Sequence, residues 1–252
     1  MSGDGLDALG FSVERLRHLT APLTARELTA PAYPTEWTIA DVLSHIGSGA
    51  VIMQRRIEDT LAGATTPDDY APNVWDAWNA KSPEAKRDDA LTADRAFLAR
   101  IDAMTASERA SFAFAVGPLT FDFDGVVGLR LNEHAMHTWD IEVAVDPAAV
   151  IPSQIAALVV DNLDLIARFT AKPTGETETI TVRTIVPARA FTVRLAPESA
   201  TLDPDVGPGP ADLELPSEAF ARLVYGRLDP AHTPAGADNH AVDVLRRVFP
   251  GP

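Results

Sequence analysis

Two histidines and one glutamate constrain the fold of this chain more than any other feature of its sequence. Glu133 and His137 lie four positions apart in the segment 130–145, and at about 3.6 residues per turn this spacing places both side chains on one helical face. His45 lies in a second segment with helical character, 37–61. If the three side chains bind one divalent metal ion, the two helices must face each other. Helix bundles build metal sites in this way, and three ligands leave a fourth position open, as in catalytic zinc sites.

Composition excludes several classes of protein. The 252 residues, 46% of them hydrophobic, suffice for one large domain or two modest ones. The chain has no cysteine, so any thiol chemistry needs a thiol from outside. A net charge of −15 disfavours nucleic acid and anionic membranes as partners. We find no run of about 18 uncharged apolar residues and no secretory signal at the N-terminus, and we therefore expect a cytoplasmic location.

The first half of the sequence predicts helices. Phe11 begins an amphipathic stripe of apolar residues at helical spacing that continues to Leu19. In the segment that carries the first histidine, Thr38 stands at a position typical of an N-cap, and Asp41 follows three residues later, as in a capping box.

The remainder of this half completes a bundle of four helices. Residues 65–83 are rich in Pro, Asp, Asn and Trp, which predicts a long loop. A third helix is expected over 84–104 and a fourth over 122–146. The stretch GPLTFDFDG before the fourth helix predicts a loop or a short extended segment. We therefore expect a metal-binding four-helix bundle over 1–147.

The second half, 148–252, predicts a small domain of mixed helix and strand. Alternating apolar and polar residues indicate strands, and helical periodicity precedes and follows them. The fold class of the chain is therefore α+β. The predicted elements are a helix over 152–171, strands over 179–188 and 190–198, a turn-rich stretch over 200–216, and helices over 217–228 and 240–249.

Other side chains near the predicted ligands have less specific interpretations. His134 lies about 100° around the helix from the glutamate ligand, so we expect it at the rim or surface. Asp140 lies three residues after His137, where it either accepts a hydrogen bond from the imidazole or is an ordinary surface acid. Trp37 and Trp139 are expected to be packing residues.

Two segments, EWTIADVLSHIG and LRLNEHAMHTWDIEVAVD, resemble the mycothiol-dependent maleylpyruvate isomerase family. The resemblance implies a DinB-like metal-binding four-helix bundle. It also implies zinc or another divalent metal held by His45, Glu133 and His137, with mycothiol as the thiol cosubstrate. The residues that carry the resemblance are Trp37, Thr38, Asp41 and His45 in the first segment, and Glu133, His137, Trp139 and Asp140 in the second.

The stretch ADLELPSEAFARLVYGRLDP resembles the C-terminal domain of the same family, which is similar to sterol carrier proteins. This resemblance suggests that Arg227 reaches the bundle and pairs with a substrate carboxylate, a contact that suits the planar guanidinium group. The alternative is an arginine that caps the last carbonyl groups of its helix. Arg130, one turn before Glu133, is a second candidate for an anion contact.

The resemblance implies an enzyme in which a thiolate, activated by the metal, attacks a small electrophile. The outcome is either cis–trans isomerisation, as from maleylpyruvate to fumarylpyruvate, or thiol S-transfer. Two alternatives remain open from the residues: a non-enzymatic protein that binds a small ligand and has a structural metal site, and a thiol-independent metal hydrolase. The sequence does not determine the electrophile or the oligomeric state. It also leaves the metal open, because imidazole and carboxylate ligands suit Zn, Ni, Co and Fe.

Overall fold

Long helices combine with an antiparallel hairpin and a mixed sheet in this chain, which confirms the predicted α+β class. The computed structural model describes residues 2–34, 36–204 and 210–251. Two units are distinguished, Met1–Asp146 and Pro147–Pro252. Within the described residues, we find no helix with both the length and the apolar character needed to cross a membrane.

The first unit is built mainly from helices. α3 packs against α4, α5 and α7, and α1 packs against α5 and α7. A short hairpin of β1 and β2 precedes α7, so the predicted extended segment is confirmed. The elements are α1 (Ser2–Thr20), α2 (Ala25–Leu28), α3 (Ile39–Leu61), α4 (Tyr70–Asn79), α5 (Pro83–Asp102), α6 (Ala106–Ser111), β1 (Phe114–Val116), β2 (Leu119–Phe121) and α7 (Phe123–Val145).

The predicted long loop over 65–83 is wrong, because α4 lies within it. Pro72 indicated a break, but it lies in the first turn of α4, where proline is tolerated. Trp78 at the other end of this helix is buried in the core between α3 and α5. Burial of that large ring therefore stabilises a helix that the local composition did not predict.

The beginning of α3 has the predicted capping box. The Thr38 side chain accepts a hydrogen bond from the Asp41 backbone N–H, and the Asp41 carboxylate accepts one from the Thr38 backbone N–H. Lys86 of α5 donates to the other carboxylate oxygen of Asp41 at 2.8 Å. These contacts satisfy backbone N–H groups that have no partner within the first turn of the helix. They fix the N-terminal end of α3 two turns before His45.

Close packing of α3 against its neighbours depends on Gly47. A Cβ atom at this position would lie 2.3 Å from the Trp78 ring and 2.8 Å from the Ala90 Cα atom. Only glycine therefore permits this approach of the helices. The surrounding core consists of apolar side chains from several helices: Leu16, Leu28, Ile39, Val42, Leu43, Ile46, Leu91 and Ile141.

The second unit contains a four-stranded sheet of order β5–β4–β3–β6, with helices before and after its strands. β4 pairs antiparallel with β3 and β5, whereas β3 and β6 are parallel. The predicted strands and flanking helices are confirmed; of the turn-rich stretch, residues 205–209 lie outside the described residues. The elements are α8 (Ser153–Val159), a 3₁₀ turn (Val160–Asn162), α9 (Leu163–Thr170), β3 (Glu178–Thr184), β4 (Arg189–Ala196), β5 (Ser199–Asp203), β6 (Leu213–Leu215), α10 (Ser217–Val224), a second 3₁₀ turn (Pro230–His232) and α11 (His240–Val248).

Candidate metal centre

His45 of α3 and Glu133 and His137 of α7 converge in the first unit. One donor atom from each side chain lies within 4.8 Å of the other two. The His45 Nε2 atom is 3.4 Å from the Glu133 Oε2 atom, and the His137 Nε2 atom is 3.7 Å from the same oxygen. The side chains of His45 and Glu133 are 39% and 46% exposed, and that of His137 is 12% exposed. The cluster is therefore accessible to a small molecule from one side.

Glu133 carries the negative charge of the cluster. Burial alone would raise the pKa of Glu133, but hydrogen bonds from His137 and His45 outweigh it and lower the pKa below its usual range. Burial would likewise lower the pKa of His137, yet its hydrogen bonds to Asp140 and Glu133 raise it. Glu133 therefore stays ionised and attracts positive charge, either from protons on the imidazoles or from a cation.

Asp140 orients the ring of His137. The His137 Nδ1 atom lies 2.9 Å from the Asp140 Oδ2 atom, and Asp140 is fully buried. Since an ionised carboxylate only accepts hydrogen bonds, this contact places a proton on Nδ1, and Nε2 is the nitrogen that faces the cluster. Of the two interpretations of Asp140 from the sequence, the hydrogen-bond acceptor is therefore confirmed and the surface acid is wrong.

Trp37 forms one wall of the cluster. Its ring is stacked on that of His137, with centroids 6.2 Å apart and planes at 19°, and its centroid lies 5.5 Å from that of His45. Trp37 is 37% exposed, whereas Trp139 is fully buried. Both tryptophans have the expected packing role: Trp139 packs in the interior, and Trp37 packs against the two imidazoles and shields one side of them.

The donor set fits a divalent transition metal. Two imidazole nitrogens and one carboxylate oxygen are the ligands of one type of catalytic zinc site. A carboxylate that accepts a hydrogen bond from the far side of a ligand histidine, as Asp140 does here, is a usual companion of such sites. Among the described residues, no other group of three His, Asp or Glu side chains brings its donor atoms this close.

His134 is buried, so its predicted place at the rim or surface is wrong. Its ring lies between Ser12 of α1 and Asp94 of α5, with Nδ1 2.8 Å from the Ser12 Oγ atom and Nε2 3.2 Å from the Asp94 Oδ2 atom. His134 lies away from the ligand face, as its angle around the helix predicts. Because most of α7 is buried, a rotation of about 100° leads to another interior face rather than to solvent.

Arg130 faces the same interior side of α7. It is 4% exposed, and its Nη2 atom donates to the Asp94 carboxylate and to the Ile46 carbonyl oxygen. No contact in the described part of the chain supports the predicted anion contact of Arg130, which stays a prediction. Sequence reasoning missed Asp94, although a signal was present: this acid lies in the apolar stripe of α5 between Leu91 and Phe97.

Arg227 lies in the second unit, just after α10. Gly226 has a φ of +70°, and the backbone N–H groups of Gly226 and Arg227 donate to the carbonyls of Leu223 and Arg222, which is a Schellman motif. The buried Arg227 guanidinium group donates to the Tyr225 carbonyl at 2.8 Å. These contacts agree with the capping alternative, and the substrate contact of Arg227 stays a prediction.

Comparison with known proteins identifies the family. The profile of the family described as mycothiol maleylpyruvate isomerase N-terminal domain matches residues 10–142, more than half of the chain. The chain belongs to the mycothiol maleylpyruvate isomerase family. The matched range contains His45, Glu133 and His137, whereas Arg227 lies outside it. No curated protein shows significant sequence similarity to the chain.

Solved structures of mycothiol maleylpyruvate isomerases have the same fold over nearly the whole chain. The crystal structure of the mycothiol-dependent maleylpyruvate isomerase aligns with a TM-score of 0.68 and 12% identity, covering 96% of this chain and 95% of that one. A histidine-to-alanine mutant of the mycothiol-dependent maleylpyruvate isomerase aligns with a TM-score of 0.67 and 11% identity, over the same shares of both chains. At these identities the likeness shows the fold alone.

Proposed function

We propose that this protein is a metal-dependent enzyme that adds the low-molecular-weight thiol mycothiol to a small electrophile. The observation that carries the proposal is the convergence of His45, Glu133 and His137 from two helices, with one donor atom of each within 4.8 Å of the others. Membership of the mycothiol maleylpyruvate isomerase family supports the choice of thiol. The absence of cysteine from the chain agrees with a thiol supplied from outside.

The metal in this proposal is held by the two histidine Nε2 atoms and the Glu133 carboxylate. Zinc is the first candidate because this ligand set is found in catalytic zinc sites, although nickel, cobalt and iron accept the same donors. A divalent ion bound there would supply positive charge, which would lower the pKa of a thiol bound beside it.

The surrounding residues have defined roles in this proposal. Asp140 holds the His137 ring so that Nε2 faces the cluster. Trp37 excludes water from one side of the imidazoles. The exposed edge of the cluster, at His45 and Glu133, admits the thiol and the electrophile.

For the electrophile we propose a short conjugated carboxylate such as maleylpyruvate, by analogy with the structural relative named for that substrate. The thiolate sulfur forms a bond to one carbon of the double bond, whose electron pair moves onto the adjacent carbonyl. Rotation about the resulting single bond, followed by cleavage of the carbon–sulfur bond, yields the trans isomer and regenerates the thiolate. Release of the adduct after protonation is S-transfer instead. Arg227 is the proposed contact for the substrate carboxylate, since its guanidinium group suits bidentate pairing.

The test uses metal-free protein reloaded with Zn²⁺. We expect about one ion bound per chain by elemental analysis, and turnover of maleylpyruvate only when mycothiol is added. The His45→Ala variant should lose both. His240→Ala is the matched control, because His240 is a highly exposed histidine of the second unit. Full thiol-dependent turnover by the His45→Ala variant would contradict the proposal.

The thiol requirement separates the proposal from its alternatives. Turnover of an electrophile by the zinc-loaded protein without thiol would indicate a metal hydrolase. Stoichiometric zinc without affinity for mycothiol would indicate a ligand-binding protein with a structural metal. Either result overturns the thiol-dependent mechanism and leaves the metal cluster in place.

A further inference from the structure

A buried polar network lies next to the metal cluster and joins three helices. Arg130 and His134 lie one turn apart on α7, and Asp94 lies on α5. All three side chains are almost completely buried, and the Asp94 carboxylate pairs with both Arg130 and His134. A network of this kind in a hydrophobic core requires a physical reason, because desolvation of charged groups is costly.

Arg130 is the centre of the network. Its Nη2 atom lies 2.5 Å from the Asp94 Oδ1 atom and 2.9 Å from the Ile46 carbonyl oxygen of α3. The second Asp94 oxygen lies 3.2 Å from the His134 Nε2 atom. One guanidinium group thus links the backbone of α3 to α7 and α5 at the same time.

Stability alone does not account for this arrangement. Buried ion pairs are often no more stabilising than apolar side chains of similar volume. Burial would raise the pKa of Asp94, but the adjacent charges of His134 and Arg130 outweigh it and keep the pKa below its ordinary value. The carboxylate is therefore ionised, and movement of the arginine would remove a partner that offsets this buried charge.

The order Ser12–His134–Asp94 has the residue types of a hydrolytic triad, but it cannot act as one. The Ser12 and His134 side chains are fully buried, so no substrate reaches the serine oxygen. The network must act through the protein rather than on a ligand.

The hydrogen bond from Arg130 to the Ile46 carbonyl lies close to the proposed metal ligands on both α3 and α7. Ile46 directly follows His45, and Arg130 precedes Glu133 by one turn. The bond from Arg130 to the Ile46 carbonyl therefore sets the separation of α3 and α7 at the level of the cluster. A shift of α3 would move His45 away from the two ligands on α7.

We propose that Arg130 and Asp94 form a positioning pair that holds His45 at coordinating distance from Glu133 and His137. This inference rests on the proposed function, because it concerns affinity for the same metal. Arg130 is then a positioning residue, which acts on the metal through the backbone of α3.

The test separates metal affinity from stability with two variants. Arg130→Met removes the link and leaves the buried Asp94 charge without its arginine partner, although His134 stays beside its second oxygen, so both the melting temperature and Zn²⁺ affinity should fall. The double variant Arg130→Met/Asp94→Asn removes that charge as well, so the melting temperature should partly recover. Its Zn²⁺ dissociation constant, measured by chelator competition well below the melting temperature, should stay raised by about tenfold, as for other residues that support metal ligands. The absorption spectrum of bound Co²⁺ should change in both variants.

Ile101→Ala is the matched control for destabilisation. Ile101 is a buried residue of α5, two turns after Asp94, so its truncation should lower the melting temperature without changing zinc affinity or the Co²⁺ spectrum. Native zinc affinity and an unchanged Co²⁺ spectrum in the double variant would overturn the positioning role alone. Failure of the unaltered protein to bind zinc would instead contradict the proposed function, and the positioning role with it.

Discussion

At the scale of single residues, the cluster depends on the orientation of its most buried imidazole. His137 faces Glu133 through Nε2, and Asp140 holds the ring in this orientation by accepting a hydrogen bond from Nδ1–H. A ring free to rotate would present either nitrogen, and the donor geometry would be lost for part of the time. In the proposed metal site, Asp140 therefore contributes to metal affinity without touching the ion.

Asp140→Asn should weaken Zn²⁺ binding by about 10- to 100-fold, because an amide is a poorer acceptor and favours the wrong ring orientation. Chelator competition measures this change, and circular dichroism checks that the helices are retained. Asp161→Asn is the control, since Asp161 pairs with Arg189 on the surface of the second unit. Equal affinities of the Asp140→Asn variant and the unaltered protein would show that Asp140 does not orient the ligand.

At the scale of elements, α3 places His45 through its N-terminal cap and its packed face. Asp41 accepts hydrogen bonds from Thr38 and Lys86. Burial would raise the pKa of Asp41, but these hydrogen bonds outweigh it and lower the pKa. Because the carboxylate is ionised in the native state at lower pH than in the unfolded chain, its stabilisation is complete above the unfolded pKa of about 3.9. That stabilisation is lost as the pH falls through the native pKa.

Asp41→Asn should therefore lower the free energy of unfolding by about 0.5–1 kcal/mol near neutral pH, a value that allows for the partial exposure of this side chain. The difference between the two proteins should be constant from about pH 5 to 8 and shrink below about pH 4. Urea unfolding at several pH values measures it. A difference that grows on acidification would contradict this account of the cap.

Gly47→Ala should destabilise the first unit by about 1–3 kcal/mol, because the new methyl group overlaps the Trp78 ring and the α5 backbone. Gly10→Ala is the matched control: Gly10 lies in α1 with nothing within 4 Å of a Cβ atom. That substitution should stabilise the protein by up to about 1 kcal/mol through helix propensity. Urea denaturation compares the two, and similar effects of both substitutions would show that the contact of α3 with α4 is looser than described.

At the scale of the whole molecule, a solved isomerase aligns with both units of this chain. The family profile covers residues 10–142, which lie in the first unit. The proposed carboxylate contact, Arg227, belongs to the second unit. If its guanidinium group binds substrate, its replacement should impair turnover and leave metal binding unchanged.

Arg227→Lys should raise the KM for a carboxylate-bearing electrophile by about tenfold or more, since an ammonium group cannot replace the bidentate contact. The KM for the thiol and the affinity for Zn²⁺ should not change. Steady-state kinetics with each substrate varied in turn measures this, with the exposed Arg194→Lys as the control. An unchanged KM for the electrophile would contradict the proposed substrate contact and favour the capping role of Arg227, whose guanidinium group donates to the Tyr225 carbonyl.

Local rules in the sequence determined much of the fold and the cluster. The period of about 3.6 residues placed Glu133 and His137 on one face, and the capping box marked the beginning of α3. Alternation of apolar and polar residues predicted β3 and β4. Each of these rules acts between residues close in sequence, so no knowledge of packing partners was needed.

Only the tertiary structure decided what surrounds each face. It buried His134 and Arg130 against Asp94, brought Trp37 over the imidazoles, and turned part of a predicted loop into α4. These outcomes depend on which distant segment occupies the adjacent space. Periodicity gives the angle of a side chain around its own helix, but whether that angle leads to solvent, to a core or to a partner charge is set by the neighbouring helices.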